Sequence, residues 1–222
     1  MQIKPVSVRS FEEPPICEKE ILRYAGCKAG ETVQDEELLR LLEECLAEVR
    51  PKLRYRVCFI TMTVETSEDA CRFDESLSVP SRHLAKNLHG CEEVLLFAAT
   101  IGVEIDRLIA KYGRISPTKA LLFQAIGAER IEALCDLFCE TYGKGLRPRF
   151  SPGYGDLPLE IQKDIFAYLD CAKHIGLTLN DSLLMSPSKS VTAFAGTDNT
   201  NASLHTPKCM SCSNTDCAFR EA

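Results

Sequence analysis

An arginine and a tyrosine stand five residues apart in a loop sequence that suggests ligand binding. The segment reads Arg149-Phe-Ser-Pro-Gly-Tyr154. Proline and glycine make such a segment a rigid turn, so we expect the guanidinium and the phenol at a fixed separation. A guanidinium binds carboxylates through paired hydrogen bonds, and a phenol offers an aromatic face and one hydrogen bond. Composition alone favours another interpretation, in which the loop is structural and Arg149 pairs with a carboxylate of a helix.

Three cysteines lie close together near the end of the sequence, at Cys209, Cys212 and Cys217. Their thiols can converge on one metal ion or cluster, with His205 or another cysteine as the fourth ligand. Zinc would make this segment a structural staple, and an iron–sulfur cluster would make it an electron relay. The alternative is a redox-active or disordered thiol tail. The other nine cysteines are scattered, mostly among apolar residues, and are expected to be reduced thiols in the core.

A row of carboxylates follows one face of the longest helix that the sequence predicts, over residues 117–142. Glu129, Glu132, Asp136 and Glu140 recur at spacings of three, four and four residues, which places them on one side of the helix. Such a row is usually a solvated face. Because like charges four residues apart slightly destabilise a helix, a cationic partner is the second interpretation.

Composition excludes two classes of protein. The chain has 222 residues and a formal net charge of −6, which argues against nucleic-acid binding, since that relies on Lys and Arg to neutralise phosphates. The longest apolar run, over 94–103, is about half of the ~20 residues that a membrane-spanning helix needs. The N-terminal residues contain no apolar signal core. The sequence therefore predicts a soluble, cytoplasmic protein.

The elements that must position these groups are predicted from hydrophobic periodicity. The pattern predicts helices over 18–24, 35–49, 103–111, 117–142 and 160–173, and strands over 54–65 and 93–99. Residues 1–16 are expected to form an arm or an edge strand, and 177–194 a mixed stretch. The fold class is predicted as α+β, with a twisted, mainly antiparallel sheet flanked by helices. We expect one domain in two parts, 1–90 and 91–196, followed by a linker and cysteine-rich tail over 197–222.

Two segments together resemble the reactivation domain of cobalamin-dependent methionine synthase. That family carries an Arg-Pro-x-Pro-Gly-Tyr loop and, further along, the segment Leu-Thr-Glu-Ser-x-x-Met-x-Pro-x-x-Ser-Val-Ser. The first motif is matched by Arg149, Pro152, Gly153 and Tyr154, and the second by Leu179, Ser182, Met185, Pro187, Ser190 and Val191. The resemblance is strong over 149–194 and weaker over 91–140, and it is not argued for 1–90.

The resemblance implies a domain that binds S-adenosylmethionine and docks on a cobalamin-bearing domain. There, reduction of cob(II)alamin followed by methyl transfer restores methylcobalamin. The cobalt is the nucleophile and the sulfonium supplies its own leaving group, so the protein contributes positioning and electrostatics, and no catalytic side chain is expected.

The same resemblance implies roles for individual residues. Arg149 is expected to hold the carboxylate of the ligand, and Tyr154, which follows Gly153 in the loop, to lie against the ligand. The main chain near Asp156 is expected to contact the adenine end. The cationic end of the ligand is expected to meet Glu132, or Glu129 if the alignment shifts.

The chain departs from the family pattern in two respects. It lacks the Asp-x-His-x-x-Gly signature of cobalamin binding, so the corrinoid is expected on a separate protein, with a flavodoxin- or ferredoxin-like electron donor. The segment after Gly196 is polar and cysteine-rich, unlike the aromatic-rich sequence of the family. The prediction is a methyltransferase component that supports reductive methylation of a corrinoid in trans. The alternatives are a non-catalytic, metal-stapled or redox-sensing interaction subunit, and an iron–sulfur electron-transfer activator of corrinoid proteins.

Overall fold

A computed structural model describes residues 5–27, 35–74, 76–142 and 145–197. The strands in these ranges are β1 Ser7–Phe11, β2 Tyr55–Thr66, β3 Ala70–Phe73, β4 Leu77–Pro80, β5 Glu93–Thr100, β6 Thr178–Leu179, β7 Met185–Ser186 and β8 Ser190–Thr197. The helices are α1 Glu18–Tyr24, α2 Glu36–Val49, α3 Arg82–Leu88, α4 Glu104–Ile115, α5 Pro117–Tyr142, α6 Ile161–Leu169 and α7 Cys171–Ile175.

Six of the strands form one antiparallel sheet in the order β4-β3-β2-β5-β8, with β1 pairing along the first half of β2. The long strand β2 is the organising element, because its first half pairs with β1 while its end, from Val64 to Thr66, pairs with β3. Strands β5 and β8 pair over their full length, from Glu93 opposite Thr197 to Thr100 opposite Ser190. Strands β6 and β7 form a separate small hairpin.

Both faces of the sheet are buried, so its central strands are apolar on both sides. Along β5, Leu95, Phe97 and Ala99 pack into the core beneath α1, α2, α4 and α5. The alternate residues Val94, Leu96 and Ala98 pack into a second core with α3, α6 and α7. Alternation of side chains along each strand thus supplies two cores from one sheet.

The free edge of β8 is covered by residues 145–150, and this contact positions the arginine loop, the segment 149–154. The amide of Arg147 donates to the carbonyl of Gly196 at 2.8 Å, and Phe150 exchanges two hydrogen bonds of 2.9 Å with Phe194. A side chain at Gly196 would collide with Cys91, whose Sγ lies 2.7 Å from the position of the missing Cβ. Phe150 packs on the second core, and Arg149 contacts α5 on the opposite side of the sheet.

The α+β prediction is confirmed, and the sequence-predicted helices and strands are present within a few residues of their expected ends. The helix expected over 160–173 is broken at Asp170, which has a φ of +42° and separates α6 from α7. The stretch described as mixed contains β6, β7 and the first half of β8. Strands β3 and β4 and helix α3 were not predicted.

Most of the scattered cysteines are core residues, as the sequence predicts. All nine that the structure describes are reduced cysteines outside disulfide bonds, and six of them are buried: Cys45, Cys58, Cys71, Cys91, Cys135 and Cys171. Burial raises the pKa of Cys45 to about 11 and that of Cys71 to about 12, so both stay protonated at neutral pH. The expectation is wrong for Cys17, which is exposed on the arm. None of the described helices combines the length and apolar character needed to cross a membrane.

Candidate functional site

The acidic face of α5 forms one wall of a cleft of about 370 Å³. The other walls are the arm that precedes α1, and α1 itself. The residues that line the cleft are Pro14, Pro15, Cys17, Glu20, Tyr24, Glu129, Glu132, Ala133, Asp136, Leu137 and Glu140. Five of these are carboxylates, and the volume lies in the range of small-molecule sites.

At the inner end of the cleft a buried ion pair fastens the arm to α5. Glu129 and Arg130 pair side by side at 2.5 Å, and their side chains are 5% and 0% exposed. The guanidinium of Arg130 also donates to the carbonyls of Pro14 and Pro15 at 2.6 and 2.7 Å. Glu129 accepts a hydrogen bond from the amide of Cys17 at 3.0 Å. Glu129 is therefore a structural residue of the cleft, and its assignment to a solvated face is wrong.

Arg149 pairs with the acidic face of α5 about midway along the cleft. Its Nη2 donates to Oε2 of Glu132 at 2.8 Å, and its Nη1 donates to Oδ1 of Asp136. Arg149 is thus the cationic partner of the two middle carboxylates of the row, Glu132 and Asp136. The same contact is the one expected if the loop is structural, because in that interpretation Arg149 pairs with a carboxylate of a helix.

The charge of Arg149 is fixed by these neighbours. Its side chain is 10% exposed, and burial by itself lowers the pKa of its guanidinium. The negative groups around it, Asp136 and Glu132 among them, outweigh burial and raise the pKa above the usual range for arginine. Arg149 is therefore a permanent cation within the acidic wall of the cleft.

The loop that follows Arg149 is held by its own backbone and by α3. The amide of Gly153 donates to the carbonyl of Leu157 at 2.9 Å, and its φ of +88° suits glycine. Gly155 also has a positive φ, and a side chain there would collide with the imidazole of His83. The next residue, Asp156, accepts hydrogen bonds from Ser81 Oγ at 2.5 Å and from the amide of Arg82 at 2.8 Å.

Asp156 acts on the start of α3, where backbone amides lack helical partners. The hydrogen bond from Ser81, followed by those from the amides of Arg82 and His83, lowers the pKa of Asp156 although burial opposes this. The carboxylate therefore fastens the loop to α3. Contact of the neighbouring main chain with an adenine stays a prediction.

The structure brings only some of the sequence-predicted site residues together. Arg149 and Glu132 are in direct contact, and Glu132 lines the cleft. Tyr154 is 69% exposed, and neither it nor Gly153 nor Asp156 lines the cleft. The phenol of Tyr154 is available on the surface, and its contact with a ligand stays a prediction.

The second recognised motif, residues 179–192, has a structural role at a distance from the cleft, since it contributes none of the lining residues. Ser188 donates from both its amide and its hydroxyl to Asp106 of α4. The aliphatic part of Lys189 crosses α5 at Gly127, where its Cγ would lie 2.9 Å from an added Cβ. The hydroxyl of Ser190 donates to Thr100 at the end of β5, at 2.9 Å. This motif fixes the entry into β8, which in turn holds the arginine segment.

The cysteine site expected at Cys209, Cys212 and Cys217 lies outside the described residues, as does His205, and it stays a prediction. Within 5–27, 35–74, 76–142 and 145–197, no cluster of three or more His, Cys, Asp or Glu side chains has the arrangement of a metal site.

Sequence reasoning missed the residues that come from the N-terminal part of the chain. Tyr24 and Glu20 of α1 line the cleft, and Arg23 stacks over the ring of Tyr24 at 4.6 Å and pairs with Glu20 at 2.6 Å. Burial, and next the charge of Glu132, raise the pKa of Tyr24. No short motif marks these residues, because they meet α5 only through the tertiary fold.

Comparison with known proteins supports the resemblance found in the sequence. A family model described as the activation domain of vitamin B12 dependent methionine synthase matches residues 127–220. The match begins within α5 and extends beyond Gly196 into the cysteine-rich segment, and the separate character of that segment stays a prediction. No sequence among the curated proteins matches the chain.

The fold is similar to that of a crystal structure of the MetH reactivation domain bound to AdoHcy. The two share 16% sequence identity with a TM-score of 0.64, over 88% of this chain and 79% of that one. The likeness covers nearly all of the fold described above, including the parts of the chain that precede the family match. The suspected resemblance to the reactivation domain is therefore confirmed.

Proposed function

We propose that this protein binds S-adenosylmethionine in the cleft between α1, the arm and α5. The observation that carries the proposal is the contact of Arg149 with the acidic wall of a small-molecule-sized cleft, in a fold similar to an AdoHcy-bound domain. Arginine suits the carboxylate of the ligand, and the carboxylates suit its ammonium and sulfonium groups. The charged groups of the ligand thus have partners of opposite charge in Arg149 and in the carboxylates that line the cleft.

The charges that surround the cleft favour a cationic ligand. Among the described residues, its five carboxylates are paired with three cations, Arg23, Arg130 and Arg149, which leaves an excess of negative charge in this part of the structure. S-adenosylmethionine has one net positive charge, whereas S-adenosylhomocysteine has none. The cleft is therefore suited to holding the sulfonium form before methyl transfer and releasing the neutral product after it.

We further propose that the methyl group goes to a corrinoid carried by a separate protein. An electron first reduces cob(II)alamin to cob(I)alamin, whose electron pair then attacks the methyl carbon as the sulfur–carbon bond breaks, leaving methylcobalamin and S-adenosylhomocysteine. No proton moves, so the chain needs no acid or base. Its side chains hold the sulfonium and its amino-acid part in place. The electron would come from a flavodoxin- or ferredoxin-like donor.

Calorimetric titration tests ligand binding. The protein is titrated with S-adenosylmethionine, with S-adenosylhomocysteine, and with 5′-methylthioadenosine, which lacks the amino-acid part. We expect saturable binding of the first two, and about a tenfold loss of affinity for both in Arg149→Lys, because lysine keeps the charge but loses the paired donors. The affinity for 5′-methylthioadenosine should change little in this variant.

Arg40→Lys is the matched control, because Arg40 is 70% exposed on α2 and does not line the cleft. Its affinities should equal those of the wild type. No heat with either amino-acid-bearing ligand would contradict the proposal. Methyl transfer is tested separately, by following label from S-adenosylmethionine into cobalamin reduced with titanium(III), in the presence and absence of the protein.

The metal-based alternatives rest on the cysteine tail, so they stay predictions. Anaerobic purification followed by metal analysis and a visible spectrum decides between zinc, an iron–sulfur cluster and neither.

A further inference from the structure

Both outer nitrogens of Arg149 are already occupied by carboxylates of this chain. Nη2 bonds Glu132 and Nη1 bonds Asp136, and both carboxylates line the cleft. Arg149 itself does not line it, and its side chain is only 10% exposed. A ligand carboxylate that approaches Arg149 from the cleft therefore meets Glu132 and Asp136, which line the cleft and each contact one outer nitrogen of the guanidinium.

The two carboxylates differ in how firmly they are held. The side chain of Glu132 is 39% exposed, and that of Asp136 is 58% exposed. Asp136 is the more solvated partner, and an exposed ion pair contributes little free energy. Asp136 is consequently the easier of the two to displace.

Counting charges favours replacement of a carboxylate over addition of one. Arg149 has one positive charge and already faces two negative ones. A third carboxylate on the same guanidinium would add repulsion at short range in a partly buried setting. If Asp136 moves into solvent as the ligand arrives, the number of carboxylates on Arg149 stays at two.

We infer that Asp136 occupies the place of the ligand carboxylate on Arg149 and leaves it when an amino-acid-bearing ligand binds. This inference rests on the proposed function of the cleft and names a residue that sets its affinity. Asp136 shares the guanidinium with Glu132 in the free protein, and it lowers the affinity for every ligand whose carboxylate must take its place. Ligands without a carboxylate are unaffected.

Removal of the carboxylate at Asp136 tests this competition. Asp136→Asn and Asp136→Ala are titrated with S-adenosylhomocysteine and with 5′-methylthioadenosine. Because S-adenosylhomocysteine is neutral overall, a general change in the charge of the cleft affects it little. We expect about two- to fivefold tighter binding of S-adenosylhomocysteine, the size of a partly exposed ion pair, and unchanged binding of 5′-methylthioadenosine.

Asp164→Asn is the matched control, with the same chemical change at an exposed position of α6, and its affinities should equal those of the wild type. Thermal unfolding establishes that each variant is folded. If the wild type binds S-adenosylhomocysteine and the Asp136 variants bind it equally or more weakly, the inference is wrong while the proposed function stands. An equal gain with 5′-methylthioadenosine also overturns it. If neither the wild type nor the variants bind S-adenosylhomocysteine, the inference and the proposed function both fail.

Discussion

Arg130 and Arg149 both pair with carboxylates of α5, and they differ in how many of their N–H groups donate hydrogen bonds to other groups of the protein. Arg130 is fully buried, and it bonds Glu129 and two backbone carbonyls of the arm. Arg149 is 10% exposed, and its partners Glu132 and Asp136 are 39% and 58% exposed. The two ion pairs thus differ in solvation: that of Arg130 is buried and fastens the arm to α5, whereas the partners of Arg149 are partly solvated, as the proposed exchange of Asp136 requires.

The largest effect is expected from the buried pair. Arg130→Met leaves Glu129 buried without its cation, which typically costs about 3–5 kcal/mol of unfolding free energy. Arg149→Met should cost far less, because its half-exposed partners regain water, as exposed pairs do. Urea unfolding of both variants measures the difference. If Arg149→Met destabilises the protein as much as Arg130→Met, the two pairs do not differ in the way described.

A smaller effect is expected at the anchor of the arginine loop. Asp156→Ala removes the acceptor for Ser81 and for two amides at the start of α3, and we expect a loss of about 1 kcal/mol at pH 7, as for other helix caps. The pKa of Asp156 is lowered in the folded state, so its contribution is full above its unfolded pKa of about 4 and is lost as pH falls through the folded value.

Unfolding free energies of the wild type and Asp156→Ala, measured from pH 7 down to pH 3, check this. The difference between them should shrink below about pH 4, where the unfolded carboxyl begins to bind protons. A difference that is constant across this range would mean that the charge of Asp156 does not stabilise α3. The loop would then be held by its backbone turns alone.

The smallest effect on stability is expected from alanine substitutions at two helical glycines, Gly113 and Gly127. Gly113 in α4 has open space around it, so Gly113→Ala should stabilise the protein by about 0.5–1 kcal/mol through helix propensity. At Gly127 in α5 a Cβ would lie 2.9 Å from Lys189 Cγ and 3.0 Å from Ile105 Cγ1, so crowding should cancel that gain. Thermal unfolding of both variants tests whether α5 is packed rigidly enough to act as the wall of the cleft. Equal stabilisation at both positions would contradict this.

The sequence predicted the long elements well because their signals are local. The helix over 117–142 follows from periodicity, and the structure has the helix at Pro117–Tyr142. Strands β3 and β4 have four residues each, too short for alternation to be distinctive. The break at Asp170 requires a left-handed backbone in a residue other than glycine or asparagine, which no local pattern indicates.

The contacts of the site were predicted only where the type of a side chain indicates the charge of its partner. The fork of Arg149 predicts a carboxylate, and a cationic partner is the second interpretation of the acidic row, after a solvated face. Glu129 and Glu132 belong to the same periodic row on α5. Glu129 is nevertheless buried with Arg130 against Pro14 and Pro15. That difference arises from contacts across more than a hundred residues of sequence, which periodicity does not contain.

The pairing of residues 145–150 with β8 bears on the order in which the molecule is made. Arg149 is placed by the Phe150–Phe194 bridge, and β8 itself pairs with β5 about a hundred residues earlier in the chain. Contacts of such long sequence separation form late and slowly. The cleft's cation is thus set in place only after the last described strand has been synthesised and has found its partner. Under the proposed function, ligand binding would therefore require β8 to be in place, and a nascent chain that stops before residue 190 should lack the site although α5 and its carboxylates are already present.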